Sequence, residues 1–471
     1  MNKGINLPTE VSIKDKKQVE KGNVRRAAIF ARSKVIEVQT ETAECYYLLY
    51  YKNSLIYGAK LGKVVEGTFI HKALNEGIII ESPHPLLTAL HPHGSITIPN
   101  KNKLFSQLQL HYSLQELAYI TTTLDSFFEK DQLISIIDKV FFHFRRSGKF
   151  MKSYQILLLL NDFSPSLKSV QERMGSREFH SYRDFYQSDL PSILTKDPLF
   201  VERHCFHHRA QPEKRLLLAD ILSKQDSLVS LLLWLENADQ QQSSDTITQY
   251  TDLALQFVTM EEWIYVLGQM KINPVRVLPD TKKVLEKMLQ NGEHEKAALC
   301  LFHFIADLPS SYDPLLETIW DHSSCEFILS HLDEFVPFLQ HLPHPESTRK
   351  EEEKIYQLAV RLLEEHGVLV VHEKLRSISK LFPHSQVIRK INEMIKLVEN
   401  PDKMMELGDY YAEFKQFDKA IDCFFWEMEL QPQNPFPVRK ISKMYQYKGL
   451  AKEAAAYQKI YDQLKRNQET G

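Results

Sequence analysis

Histidines and a cysteine crowd one short stretch of the 471-residue chain, where His204, Cys205, His207 and His208 fall within five residues. Imidazole and thiolate are good metal ligands, but a zinc site of this kind needs a second pair at finger spacing, and none follows. The stretch reads instead as a solvated helix end beside Arg203 and Arg209. His372-Glu373 opens an HExxH pattern whose second ligand position is Arg376, a guanidinium that cannot coordinate a cation. Gly62-Lys63 and Gly148-Lys149 lack both the earlier glycine and the following Ser or Thr of a phosphate loop, and Gly58, Gly62 and Gly67 do not make a dinucleotide fingerprint. His84, His91 and His93 lie near Ser95, as a base and nucleophile would, yet no acid or oxyanion donor is placed for them. No catalytic, cofactor-binding or metal residue is assigned, and a non-enzymatic chain without a cofactor is expected.

The elements that would position such residues are mostly helical. Apolar residues make up 43% and charged residues 25%, a balance that suits a folded chain and excludes wholesale disorder. Only 15 glycines occur, fewer than phosphate-loop enzymes or sandwiches use in their turns. No apolar run reaches the length of a membrane span. The five cysteines (Cys45, Cys205, Cys300, Cys325, Cys423) are scattered and odd in number, and the first 30 residues lack the apolar core of a secretion signal. A cytoplasmic location follows as an expectation. The formal net charge of -3 gives no field for gathering nucleic acid or anionic lipid. Residues 1–34 nonetheless carry nine bases against three acids, which reads as a basic, partly disordered arm.

From about residue 104, apolar residues recur at helical spacing in blocks separated by short polar or proline-containing breaks. Leu216–Leu222 with Leu228–Leu235, Ile247–Val258 with Trp263–Met270, and Ile355–Leu363 with Val370–Leu381 read as helical hairpins. Aromatic groups such as Phe141-Phe142-Phe144 and Phe424-Phe425-Trp426, with Trp234 and Trp263, are expected in the core. Composition marks linkers at Ser82–Lys103, Asn237–Asp245 and His341–Glu352. These give a basic arm at 1–34, an N-terminal region with a proline/histidine-rich linker at 35–103, hairpins at 104–240 and 241–346, and a C-terminal domain at 347–471. Val35 to Ser82 reads two ways. Val35-Ile36-Glu37-Val38 and Tyr46–Tyr51, with a turn at Lys52-Asn53, have strand composition and would form a small sheet. Ala43, Tyr47, Tyr50, Ser54, Tyr57, Leu61, Val64 and Thr68 step by four and three towards a helix stop at Asn75-Glu76-Gly77, and helix is the preferred expectation.

Residues 401–434 place Leu407, Gly408, Tyr411, Ala420, Phe424 and Pro432 at positions 7, 8, 11, 20, 24 and 32 of a 34-residue unit. This pattern resembles the tetratricopeptide repeat (TPR) family. Small residues stand where the two helices of a unit cross, with large apolar ones beside them. Lys415 and Glu427 depart from it, at a turn position that is commonly Gly and at a usually small position. A second unit at 435–468 has Ile441, Tyr445, Gly449 and Ala454 in register, with Ser442 and Gln458 as departures. Gly292, Ala297, Leu301 and Pro309 repeat the spacing of positions 15, 20, 24 and 32, as do Gly148, Ser153, Leu157 and Pro165.

The resemblance implies an all-α solenoid of stacked hairpins whose first helices line a groove for a protein or peptide partner. The family's groove positions 2, 5, 9 and 12 correspond here to Asp402, Met405, Asp409 and Ala412, then Phe436, Arg439, Lys443 and Gln446. Of these Asp402, Met405, Asp409, Phe436, Arg439, Lys443 and Gln446 are the partner-binding candidates. Met405 and Asp409 stand where family members that clamp a chaperone's C-terminal carboxylate carry Lys and Asn, which argues against that ligand. Arg439 and Lys443, four residues apart, are expected to face Asp409 of the preceding unit. The alternative is an enzyme or ligand sensor whose active domain at 31–125 is regulated by the helical array; a pocket with converging polar groups there would favour it.

Overall fold

The computed structural model describes residues 10–16, 18–90, 94–238, 244–341 and 349–470. The start of the basic arm, His91 and His93, and the middles of the linkers expected at Asn237–Asp245 and His341–Glu352 lie outside the described residues. The chain divides into two compact units, Met1–Leu278 and Pro279–Gly471, so the break falls inside the segment 241–346.

The first unit is built on a sheet, and this corrects the all-α expectation. Seven strands form it: β1 (Glu10–Asp15), β2 (Gln18–Phe30), β3 (Ser33–Thr40), β4 (Cys45–Tyr51), β5 (Ser54–Lys60), β6 (Ile78–Glu81) and β7 (Gly94–Thr97). Their order is β5-β4-β3-β2-β1-β7, with β6 also paired to β2. β2 is long enough to hold β1 along its first half and β6 along its second. The basic arm is therefore structure from residue 10 onward, not a disordered tail. In β2 the bases Lys21, Arg25 and Arg26 lie in the first two thirds of the strand around the buried Val24, and the buried run Ala27–Ile29 follows, so one strand is both charged and half-buried.

Two-residue turns set the register of β2 with β3 and of β4 with β5. Phe30 faces Ser33 across Ala31-Arg32, and Tyr51 faces Ser54 across Lys52-Asn53. Ala31 and Lys52 both have positive φ, the conformation a two-residue hairpin turn demands. The helical reading of Val35 to Ser82 fails because β3 and β4 are buried on both faces, which makes β4 a continuous run of apolar and aromatic residues. Any period can be drawn through such a run. The helix stop at Gly77 is real, but it ends a helix that starts only at Phe69.

Beyond the sheet the chain is helical. The expected hairpins occur as Pro212–Ser223 with Ser227–Asn237, Ser244–Ala254 with Met260–Gln269, and Arg349–Glu365 with Val368–Leu381. Within Pro279–Gly471 each hairpin packs on the next in chain order. Trp234 and Trp263 are buried, and the Trp263 indole N–H donates to Thr251 Oγ1 at 2.9 Å. Trp426 departs from its core expectation: Phe424 beside it is fully buried, while Trp426 is half in water.

The spaced glycines and small residues share one geometry. Gly148, Gly292, Lys415 and Gly449 all take positive φ, at 69°, 80°, 56° and 74°. The next N–H in each unit reaches back to a carbonyl five residues earlier: Lys149 to Phe144, Glu293 to Met288, Gln416 to Tyr411 and Leu450 to Tyr445, at 2.8–2.9 Å. This closure satisfies carbonyls that the end of the first helix would leave bare. Lys415 adopts the strained conformation without glycine's freedom, at roughly 1–2 kcal/mol. Ser153, Ala297, Ala420 and Ala454, the small residues of position 20, are all buried.

Gly408 in helix Met404–Glu413 marks the tightest crossing, since a Cβ there would lie 2.5 Å from Cε1 of the buried Phe424 ring. In an open helix interior Gly→Ala gains about 1 kcal/mol. Here the sign reverses, and Gly408→Ala should lose ~1–3 kcal/mol by overpacking, as should Ala420→Leu. Urea denaturation of the parent and the two variants measures this; a stabilised Gly408→Ala would contradict the crossing.

Candidate functional site

The groove candidates sit on two first helices, each started by an asparagine. Asn400 Oδ1 accepts the Asp402 N–H at 3.1 Å, and Asn434 Oδ1 accepts the Phe436 N–H at 3.1 Å. These caps place Asp402 and Phe436 at the entry of Met404–Glu413 and Pro435–Tyr447. Asp402, Phe436, Arg439, Lys443 and Gln446 are exposed, and Met405 and Asp409 are half-buried. Phe436 has 60% of its surface in water.

The ion pair that links the two first helices differs from the one expected. Lys440, not Arg439 or Lys443, pairs with Asp409, and its ammonium also lies 5.5 Å from the centre of the Phe424 ring. Arg439 lies over the Tyr461 ring on the last helix, at 5.9 Å, and Lys443 over Tyr447 at 5.6 Å. One residue along a helix is a rotation of about 100°, which separates Lys440, turned towards the preceding unit, from Arg439, turned towards the following helix. The motif positions gave no hint of Lys440, although the helical step was enough to find it.

A second constellation, which single motifs could not show, lies between the sheet and the helices of the first unit. A cavity of about 700 Å³ is bordered by Arg32, Lys34 and Lys52 from the strands and turns and by Glu116, Glu202 and Asp226 from helices. Every base comes from the sheet side and every acid from the helical side. The pairs close at 2.7 Å for Arg32–Glu202, 3.2 Å for Lys34–Asp226 and 3.1 Å for Lys52–Glu116. Burial pushes the Glu202 carboxyl up, with Arg32 partly offsetting it. Burial also opposes the charge on Arg32, but Glu202 and the Tyr51 hydroxyl outweigh it and hold the guanidinium higher than usual.

The histidine cluster borders a different cavity of about 480 Å³ in the same unit. His204, His207 and His208 line it from helix Pro198–His207 and its end, whereas Cys205 turns the other way and is fully buried. Burial raises the Cys205 thiol. Among the described residues no group of three or more His, Cys, Asp and Glu could hold a metal. His84 is held well away from hydrolytic chemistry: its Nδ1 accepts the Leu86 N–H at 3.1 Å, and burial lowers it to about 4. Ser95 stands exposed on β7. Glu373 and Arg376, of the failed zinc pattern, lie 3.9 Å apart as an exposed ion pair. Among the described residues no helix is long and apolar enough to cross a membrane.

No family model matches the chain. No curated protein matches it either. Among solved structures, the chain is similar to that of the crystal structure of MamA at 18% identity, covering 40% of this chain and 98% of that one, with a TM-score of 0.17. It is similar to a chain of Naa15/Naa10 bound to HypK-THB at 13% identity, covering 77% and 60%, with a TM-score of 0.21. It is also similar to a chain of the APC/C hetero-tetramer Cut9-Hcn1 at 11% identity, covering 78% and 83%, with a TM-score of 0.17. Superpositions this loose assign neither fold nor role, and the chain's own packing has to carry both.

Glu116 gives the larger cavity a pH signature. Its carboxylate accepts from Lys52 Nζ at 3.1 Å, Tyr51 Oη at 3.0 Å, and the Ser113 hydroxyl and N–H at 2.9 and 3.2 Å. Burial alone would raise this carboxyl, but those donors together lower it from 4.5 to about 2. A depressed acid stabilises the fold above its unfolded value and loses that contribution as pH falls towards its folded value. Glu116→Gln should therefore be less stable than the parent by about 1 kcal/mol at neutral pH. The gap should close between pH 4.5 and about 2. Denaturation midpoints across that range test it, and a constant gap would contradict an ionised Glu116.

Proposed function

We propose that the protein is a non-enzymatic, cytoplasmic interaction scaffold that holds a protein or peptide partner on its C-terminal repeat pair. The observation that carries this reading is the packing of 401–468: two consecutive hairpins with left-handed closures at Lys415 and Gly449 and small buried crossings at Ala420 and Ala454. Such hairpins present their first helices as a shared surface. Here that surface would bring Phe436 together with Asp402, Met405, Asp409, Arg439, Lys443 and Gln446. An exposed phenylalanine is a suitable anchor, because the ring supplies buried area on binding while charges elsewhere on the same helices steer approach and fix orientation. The mixed signs suit a segment that itself carries both charges, with an acidic portion over Arg439 and Lys443.

The ligand-sensing alternative draws support from a specific observation of its own, the two cavities beside residues 30–54. It places a small molecule in the first unit and leaves the repeat pair as the output surface.

The test is affinity capture with the full chain, followed by the variant Phe436→Ala, Arg439→Glu, Lys443→Glu. All three side chains are exposed, so the fold and melting temperature should hold. Partners captured by the parent should weaken on the variant by at least about tenfold, about 1.4 kcal/mol, at low salt. The parent's own affinity should fall as salt is raised. Equal capture by both chains would move the binding surface elsewhere.

A further inference from the structure

The smaller cavity, about 480 Å³, has the size and lining of a small-molecule site. Its walls are rings. Phe30 and Phe69 meet edge to face at 5.7 Å, Phe163 comes from helix Phe150–Phe163, and Phe200 lies stacked with His204 at 5.8 Å and 16°. The His204 and His208 rings continue the row at 4.4 Å. Rings lining a cavity favour an aromatic ligand, which gains offset-stacked or edge contacts with them that an aliphatic chain cannot make.

The polar groups have an equally definite distribution. Lys72, Lys130 and Arg203 reach the cavity from three separate helices. Two of the three bordering carboxylates are already engaged. Both Asp125 oxygens accept the Phe69 N–H, at 2.9 and 3.1 Å, and Asp162 pairs with Arg203 at 2.8 Å. The third, Glu76, is exposed. Lys72 and Lys130 lie near enough to Asp125 to act on its carboxyl, which burial nonetheless holds above its usual value. That leaves two exposed ammonium groups, Lys72 and Lys130, the latter 5.3 Å from the centre of the Phe163 ring, flanking a half-buried, hydrogen-bonded acid. The His208 Nδ1–H donates to the His204 carbonyl at 2.9 Å, so its Nε2 is the ring atom available to a ligand.

We propose that this cavity binds a planar aromatic small molecule carrying one anionic group, either carboxylate or phosphate. The ring lies against the Phe200–His204–His208 row, and the anion is held at Lys72 and Lys130. This names the ligand of the sensing alternative. It is tested on the free chain, so it stands or falls separately from partner binding on the repeats.

The experiment titrates the full chain by calorimetry and ligand-observed NMR with four probes. Adenosine monophosphate and indole-3-acetate join a ring to an anion, as nucleotide and as carboxylate; adenosine is the ring alone and inorganic phosphate the anion alone. At least one of the first two should saturate one site per chain, and adenosine and phosphate should each bind at least about tenfold more weakly. Which of the two binds identifies the source of the anion. Lys72→Gln with Lys130→Gln, both exposed, should weaken the bound probe at least about fivefold at an unchanged melting temperature. His204→Asn, a second variant on the other wall, should weaken it as well. The proposal is overturned if neither ring-plus-anion probe binds at about 10 mM, if adenosine or phosphate alone binds as tightly, or if both variants bind as the parent does.

Discussion

The contact on which the first unit depends is the ion pair between Arg32 and Glu202. It joins the β2–β3 turn to a helix 170 residues further along the chain, and both side chains are almost wholly out of water. Two charges removed from water cost several kcal/mol each, and their attraction repays this only with good geometry and further hydrogen bonds. Both conditions are met: Glu202 contacts Nε and Nη2 of Arg32, and Tyr51 takes another guanidinium N–H at 3.4 Å. Such a pair adds little net stability, but either partner alone would be ruinous, so it fixes which helix lies on which turn. Lys34–Asp226 repeats the arrangement, and Lys52–Glu116 adds a more exposed pair beside it. Around the larger cavity the bases of the sheet side meet the acids of the helical side, beside apolar ring contacts such as Phe30–Phe206 and Tyr51–Tyr119.

In the second unit the constraint is steric. A hairpin whose helices cross over Gly408 and Ala420 admits nothing larger at those points, and the turn between them must leave right-handed space at Lys415. Those demands recur at fixed spacing, which is why they are visible in one dimension. The repeats were legible in the sequence for this reason, including the degenerate units around Gly148–Ser153 and Gly292–Ala297, whose glycines and small residues occupy the same geometry.

The sheet was less legible because its signals are pairwise. Lys52-Asn53 is a local turn and was visible, but Cys45–Tyr51 is buried on both faces and shows no alternation to oppose a helical period. The basic residues of 10–34 looked like a solvated tail because their partners are remote: Arg26 on Glu37, Arg32 on Glu202, Lys34 on Asp226. Charge balance across a tertiary interface leaves no trace in a local window. The histidine cluster fared similarly. Its residue types read as a solvated helix end, whereas its imidazoles line a cavity with Phe200 and Arg203 on the same helix and Phe69 and Lys72 from another.

Helix Pro198–His207 ties these strands of reasoning together. In ten residues it turns Leu199 and Glu202 to the larger cavity, Phe200, Arg203, His204 and His207 to the smaller, and Cys205 and Phe206 into the core. A helix has no independent faces: a rotation that moves His204 moves Glu202 with it. A ligand of the proposed kind, seated against the Phe200–His204 row, would therefore act on the same rigid body as the Arg32–Glu202 pair. Because a buried charge pair tolerates little displacement before its desolvation is uncompensated, the helix has few positions available. A cavity built on so constrained an element is preorganised, and preorganisation is what allows a modest set of ring and cation contacts to amount to binding.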